Sequence, residues 1–381
     1  MSKPTHNPSG PSLNTGFTLL ELVVAMALSL LLFGLCLTLV QQLVNTADLV
    51  GSMSDVNENL RAAVNMVSRD LSTAGENIPR GGLPLPYGGT ATAIKLPNPA
   101  YASGSTFHAP LSGATSLSWP VIYAGNAAGP TQPTQGGTNA ISTDIVTIIS
   151  VNQTSSFNQT AVTGSPTVSS TSATITVPTT AAGYVQAGQL IMLTNSNTSC
   201  LLTVSSVNTT TGVITFKNGD TNDVLGVNQF SGPTIGTINQ LETISSSTWP
   251  AITAYPISMV TYYLDTSTPR RLMRLVTAGT GSTAQPVALG INVMTLQYSL
   301  YPFATLNGVT SDPTENPWPT TADTGNSPND IRKVVLTMIA ETDHQNHTNG
   351  QWYSKEIKNA VTVQNLDYYN KYSLGAKLTA D

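Results

Sequence analysis

The sequence predicts an α+β protein: a long N-terminal helix, transmembrane in its first half and amphipathic in its second, followed by a large antiparallel β-rich head. Three observations predict it. Residues 17–40 form an apolar run with one charge, Glu21. Residues 53–74 place apolar side chains at steps of three and four, the spacing of one helical face. Residues 80–381 alternate short β-branched runs with turn-rich text, the pattern of half-buried strands.

Composition sets the frame. Only 9% of the 381 residues are charged, and the net charge is −5. Soluble domains average about 25% charged residues. Ser, Thr, Asn, Gly and Pro make up the difference, which suits a β-rich protein displayed outside the cytosol. The 15 basic residues are scattered, so no basic face exists for nucleic acid, and no nucleic-acid partner is expected. No nucleophile–base constellation, phosphate loop or other catalytic grouping stands out, and the chain does not read as an enzyme.

Residues 1–16 (MSKPTHNPSGPSLNTG) carry two Gly and three Pro in polar surroundings and will not form a stable helix. The following apolar run spans roughly 36 Å as a helix, enough to cross a ~30 Å hydrocarbon layer with some tilt. It is too long for a secretory signal peptide, and no small-residue cleavage site follows it. A plain signal anchor fits the length but not Glu21. A carboxylate in such a segment costs a few kcal/mol even on lenient insertion scales. Cleavage after Gly16 resolves this: Phe17 becomes the N-terminus, and its α-amino group offers Glu21 a partner, most usefully on a neighbouring subunit.

The apolar stripe after the membrane run is Met53, Val56, Leu60, Val64, Val67, Leu71 and Ala74, opposite a face carrying Asp55, Glu58, Arg61, Asn65 and Arg69. Gly75 supplies a stop and Pro79 follows. One helix over 17–74 is therefore expected, roughly 87 Å long. Domain limits follow: 1–16 leader, 17–79 helix (17–40 transmembrane, 41–74 amphipathic) and 80–381 head. A coiled-coil dimer competes for the stripe, but Ala63 interrupts its large apolar positions, and packing under the chain's own head fits better.

In the head, strands are expected at 144–151, 189–194, 201–207, 212–216, 259–264, 272–276, 291–298, 333–339 and 357–363. A hairpin turn is expected at 268–271. The Ser/Thr-rich stretch 152–181 reads as an irregular or mobile excursion or an edge hairpin, and 302–330 as a long connection. Cys36 lies in the apolar run and Cys200 in the head, so no intramolecular disulfide is expected. Both read as buried, inert thiols, with an intermolecular bridge through Cys200 as the alternative.

Two weak metal readings remain. His344 and His347 form H-x-x-H beside Asp343, in text that reads as a turn. Asp220 and Asp223, in Asn-Gly-Asp-Thr-Asn-Asp, are weak calcium candidates; the ordered calcium-loop pattern is missing, and a β-turn is the plainer reading.

The residues Gly16-Phe17-Thr18-Leu19-Leu20-Glu21 resemble the type IV prepilin cleavage and methylation motif. The resemblance implies cleavage between Gly16 and Phe17 by a prepilin peptidase, N-methylation of Phe17 and an assembly role for Glu21. The leader departs from the family habit in having Lys3 as its one basic side chain besides His6. The order of head elements, from Asn59-Leu-Arg61 and Arg69-Asp-Leu71 to Val361-Thr-Val-Gln-Asn365, is similar to the PilW type of minor pilin and to its relative, the J-type pseudopilin of type II secretion. What this implies is a pilin-like lollipop with its N-terminus cytoplasmic and its head periplasmic. It sits first in the bacterial inner membrane, then in a pilus or pseudopilus. Its partners would be other major and minor pilins or pseudopilins and the inner-membrane assembly platform. A tip adhesin or DNA-uptake role for the Ser/Thr-rich head is the alternative. Some pseudopilins bind calcium.

Overall fold

The computed structural model describes residues 18–79, 82–88, 91–92, 94–95, 118–125, 129, 131–133, 140–195, 198–231, 235–242, 249–267, 270–278, 282–300, 331–342, 345, 350, 352–363 and 365. The leader, Gly16, Phe17, the 302–330 connection, Asp343, His344 and His347 lie outside them.

Helix α1 runs without a break over Leu19–Ser72. Thr18 stays extended as its N-cap and Thr73 caps the other end, so the helix is slightly shorter than the 17–74 expected. The chain continues through β1 (Leu83–Pro84), β2 (Ser118–Trp119), β3 (Ile122–Gly125), β4 (Thr131–Pro133), β5 (Ala140–Ser142) and β6 (Ile145–Val151). Then come β7 (Thr160–Ala161), β8 (Thr167–Val168), β9 (Ser172–Thr176), the single turn α2 (Thr179–Ala182), β10 (Leu190–Thr194) and β11 (Ser199–Thr203). β12 (Ser206–Asn208), β13 (Val213–Lys217), β14 (Thr253–Leu264), β15 (Arg271–Val276) and β16 (Thr283–Leu289) follow. β17 (Ile291–Leu300), β18 (Ile331–Glu341) and β19 (Ser354–Thr362) close the series. Each strand expected from the sequence is present within a few residues; the run 201–207 divides between β11 and β12. Strand β16 was not expected. Pro286 within it cannot donate to a ladder, and β16 accordingly lies at a sheet edge.

The main sheet is ordered β11-β10-β14-β15-β16, with β6, β3 and β7 joined through the other edge of β14. All these pairs are antiparallel. β14 is the axis: Ile257 is paired on both edges, to Leu190 and to Val151. A second sheet, β17-β18-β19, is also antiparallel. Asp144 ties the two together. Its N–H donates to Met294 O (2.9 Å), and its carboxylate accepts from Leu296 N–H (2.7 Å).

A third sheet has the order β12-β13-β9-β8. Of the readings for 152–181 the edge hairpin matches: β8 and β9 pair antiparallel with β8 at the sheet edge, and β9 also pairs with β13 from a later excursion of the chain. Ala173, Ile175, Ile214 and Phe216 of this sheet are buried with Phe157 in a core separate from the one that seats α1. Strands β10 and β11 stand between the two cores. Leu190, Met192 and Leu201 join the core that includes α1; Ile191, Leu193, Cys200 and Leu202 join the other. Because side chains alternate across a strand, burial on both faces demands continuous apolar runs. That is why Leu190-Ile-Met-Leu193 shows no polar alternation.

Candidate functional site: the apolar helix and its seat on the head

Two halves of α1 behave differently. From Leu19 to Val50 its large apolar side chains are exposed, apart from the half-buried Leu49. This helix is long and apolar enough to cross a membrane, by length and composition. From Val56 onward one face is buried: Val56, Leu60, Ala63, Val64, Val67 and Leu71. Those residues match the stripe read from the sequence, with Ala63 added and Met53 only half-buried. The stripe packs on β16, β18 and β19.

At the free end, Thr18 and Glu21 form a capping box. Glu21 N–H donates to Thr18 Oγ1 (3.2 Å), while Thr18 N–H and Oγ1–H donate to Glu21 Oε2 (3.0 and 3.1 Å). The box satisfies helix-end donors within the same chain. It also gives the Glu21 carboxylate two hydrogen bonds without any second subunit. The T-x-x-E spacing carries this signal in the sequence, where attention to the α-amine missed it. Of the proposed processing residues, Glu21 is described at the head of the exposed helix; Gly16 and Phe17 are outside the described residues.

At the other end, α1 is fastened to the head by polar contacts with no local sequence signal. Tyr262 of β14 and Arg274 of β15 are cross-strand partners. Both reach Asp70 of α1. Tyr262 OH donates to Asp70 Oδ2 (2.7 Å), and Arg274 places Nε and Nη2 each 3.2 Å from the same oxygen. Arg274 Nε also donates to Tyr262 OH (3.1 Å). Burial pushes the Tyr262 hydroxyl far above its ordinary range, reinforced by the Asp70 charge it faces. The guanidinium of Arg274 is lowered by burial but raised more by Tyr262 and Asp70, and stays charged. Around this cluster, Asn359 Nδ2 donates to Ser68 Oγ (2.8 Å), Asn365 Nδ2 to Ala74 O (3.0 Å) and Gly75 N–H to Ile149 O (2.8 Å). Gly75 takes the left-handed φ of +74°, and a Cβ there would press on Val121 at 3.2 Å. It is the stop residue the sequence named, and it also brings the chain against β6.

The calcium candidates act otherwise. Asp223 is buried. Its Oδ1 accepts from Thr203 Oγ1 (2.9 Å), Gly226 N–H (3.1 Å) and Val227 N–H (3.1 Å), and Oδ2 accepts from Asn228 N–H (2.8 Å). Burial pushes this carboxyl above the usual range, and the four donors pull it part of the way back. Asp220 Oδ1 accepts from Asn222 N–H (2.7 Å). These carboxylates face N–H and O–H groups, the arrangement of a loop clasp, and among the described residues no group of three acidic, His or Cys side chains converges on one point. Cys200 is buried with its thiol pushed up to about 12 by desolvation, and Cys36 is exposed on α1. The expectation that Cys200 is an inert buried thiol fits this placement.

In comparisons with known proteins, the chain matches no family model, no curated protein and no solved structure.

Proposed function

We propose that this chain is a minor pilin or pseudopilin, a structural subunit that primes or caps a pilus-like filament after its leader is removed. The observation that carries the reading is the junction of G-F-T-L-L-E with a helix whose first half is exposed and apolar and whose second half is seated in the head. Such a helix needs lipid before assembly and other apolar helices after it. On this reading the prepilin peptidase cuts between Gly16 and Phe17, Phe17 is N-methylated, and Glu21 guides entry into the filament beside other pilins. The head is periplasmic and the N-terminus cytoplasmic before assembly on the inner-membrane platform. Mass spectrometry of the exported protein tests it: a mature chain beginning at methylated Phe17 is expected, and a chain retaining residues 1–16 overturns it. Glu21→Val should insert normally yet fail to enter filaments.

A second, compatible reading is a tip adhesin. It is favoured by the third sheet, which has its own core and lies across β10 and β11 from the core shared with α1. Deleting 152–181 is a poor test, since it strips β9 from β13 and opens that core. Tyr184, 57% exposed beside α2, is a cleaner probe: Tyr184→Ser that leaves assembly intact and abolishes attachment supports adhesion, and unchanged attachment counts against this surface.

A further inference from the structure

The apolar stripe that seats α1 does not by itself fix where along its axis the helix sits. The stripe nearly repeats every seven residues. A seven-residue slide, about 10.5 Å, would put Met53 at the site of Leu60, Val56 at Ala63, Leu60 at Val67, Val64 at Leu71 and Val67 at Ala74. Every one of these exchanges is apolar for apolar, with valine entering the fully buried sites of Ala63 and Ala74 at some cost in overpacking. Only the site of Val64 receives a polar residue, Asn57, whose amide already donates to its own helix at Met53 O (2.7 Å). Other slides are rejected by packing. A four-residue slide in the same sense drives Asp70 into the site of Ala74 and Asn59 into that of Ala63; a three-residue slide drives Arg61 into the site of Val64. Slides in the opposite sense by three or seven residues drive Asp70 into the sites of Val67 or Ala63, and one of four residues puts Gly75 at the site of the fully buried Leu71, which leaves a cavity. One competing register therefore survives the hydrophobic test.

We propose that Asp70, Tyr262 and Arg274 are positioning residues that fix the axial register of α1 on the head. In the competing register the site of Asp70 receives Ala63. The Tyr262 hydroxyl, on a side chain with no exposed surface, would lose its acceptor, and the Arg274 guanidinium its carboxylate. A buried donor left without a partner costs more than a formed hydrogen bond gains. A polar group in an apolar seam that rejects the wrong register has its best-attested use in helical assemblies. The other ties near this end, from Asn359, Asn365 and Gly75, are single neutral hydrogen bonds. Asp70 instead gathers three donor contacts from two neighbouring strands onto one oxygen. The consequence is a fixed height and rotation of the head above the exposed half of α1.

The test uses the full chain in detergent micelles with Cys36→Ala. Ser68→Cys with Asn359→Cys reports the native register, since those side chains are hydrogen-bonded. Arg61→Cys with Asn359→Cys reports the shifted one, seven residues away on the same face. With the three residues intact, only the native pair should form a disulfide. With Asp70→Leu, Tyr262→Phe and Arg274→Met together, the shifted pair should cross-link at least ten-fold faster than in the parent. A folded triple variant that still cross-links only the native pair overturns the proposal. Should the triple variant not fold, Arg274→Met alone carries spin labels at positions 61 and 359. A second, shorter distance population supports the register role, and a single distance equal to the parent's overturns it. Neither result depends on removal of residues 1–16, so failure of the N-terminal test above and failure here are distinct.

Discussion

Replacing Asp223 with alanine tests whether that carboxylate is a clasp or a ligand. Its two oxygens close the turn after β13 and tie it to β11 through Thr203. Thr203, Val227 and Asn228 are each 1% exposed, so water cannot replace the lost acceptor without opening the loop. At the lower end of about 1–3 kcal/mol for each buried donor left unsatisfied, three donors amount to about 3 kcal/mol. Relief of the buried carboxylate's desolvation, the cause of its raised pKa, offsets part of that loss. The net expected loss is about 2 kcal/mol, and Asp223→Asn, which keeps one carbonyl oxygen, should lose about half as much. Urea unfolding of the full chain in detergent, followed by tryptophan fluorescence, measures it. Asp223→Ala within about 0.5 kcal/mol of the parent would refute the clasp. So would a calcium-dependent rise in the parent's unfolding midpoint that the substitution abolishes, because a clasp needs no cation.

Three further outcomes are expected. Gly75→Ala forces a Cβ into a left-handed residue against Val121 and should cost about 1–2 kcal/mol in the same unfolding assay. At Asp265, burial alone would raise the carboxyl, but hydrogen bonds from Ser267 and Arg271 outweigh it and hold it below the usual range. A depressed acid contributes stability above its unfolded pKa and loses it as pH falls through the folded value. Asp265→Asn should therefore destabilise the chain at pH 7, with the difference from the parent vanishing in acid; an unchanged difference at pH 2 would contradict the assignment. Cys200, wholly buried with its thiol pushed up to about 12, should resist iodoacetamide in the folded chain and react once unfolded, read by mass spectrometry of its peptide.

Some of this was legible because it is local. The unbroken helix follows from periodicity and from the absence of proline between residues 17 and 74; its seat follows from steps of three and four residues. Strands β6, β10, β14, β17 and β18 follow from β-branched and apolar runs that suit a pleated, buried surface. The Thr18–Glu21 box was equally readable, since its members are three residues apart. Strands β8 and β9 were legible only as one of two readings, an edge hairpin beside an irregular excursion. Their Ser/Thr-rich text buries only Ala173 and Ile175, and what makes them strands is β13, contributed by a separate excursion.

The amino-acid sequence alone determined that a long helix, apolar and then amphipathic, precedes a β-rich head, because helix period and strand alternation are properties of neighbouring residues. Tertiary structure decided how the two are joined. Asp70 meets Tyr262 and Arg274 across 192 and 204 residues, and β10 is buried on both faces only because two cores form around it. Contacts at that separation depend on which strands become neighbours, and no local pattern encodes that choice.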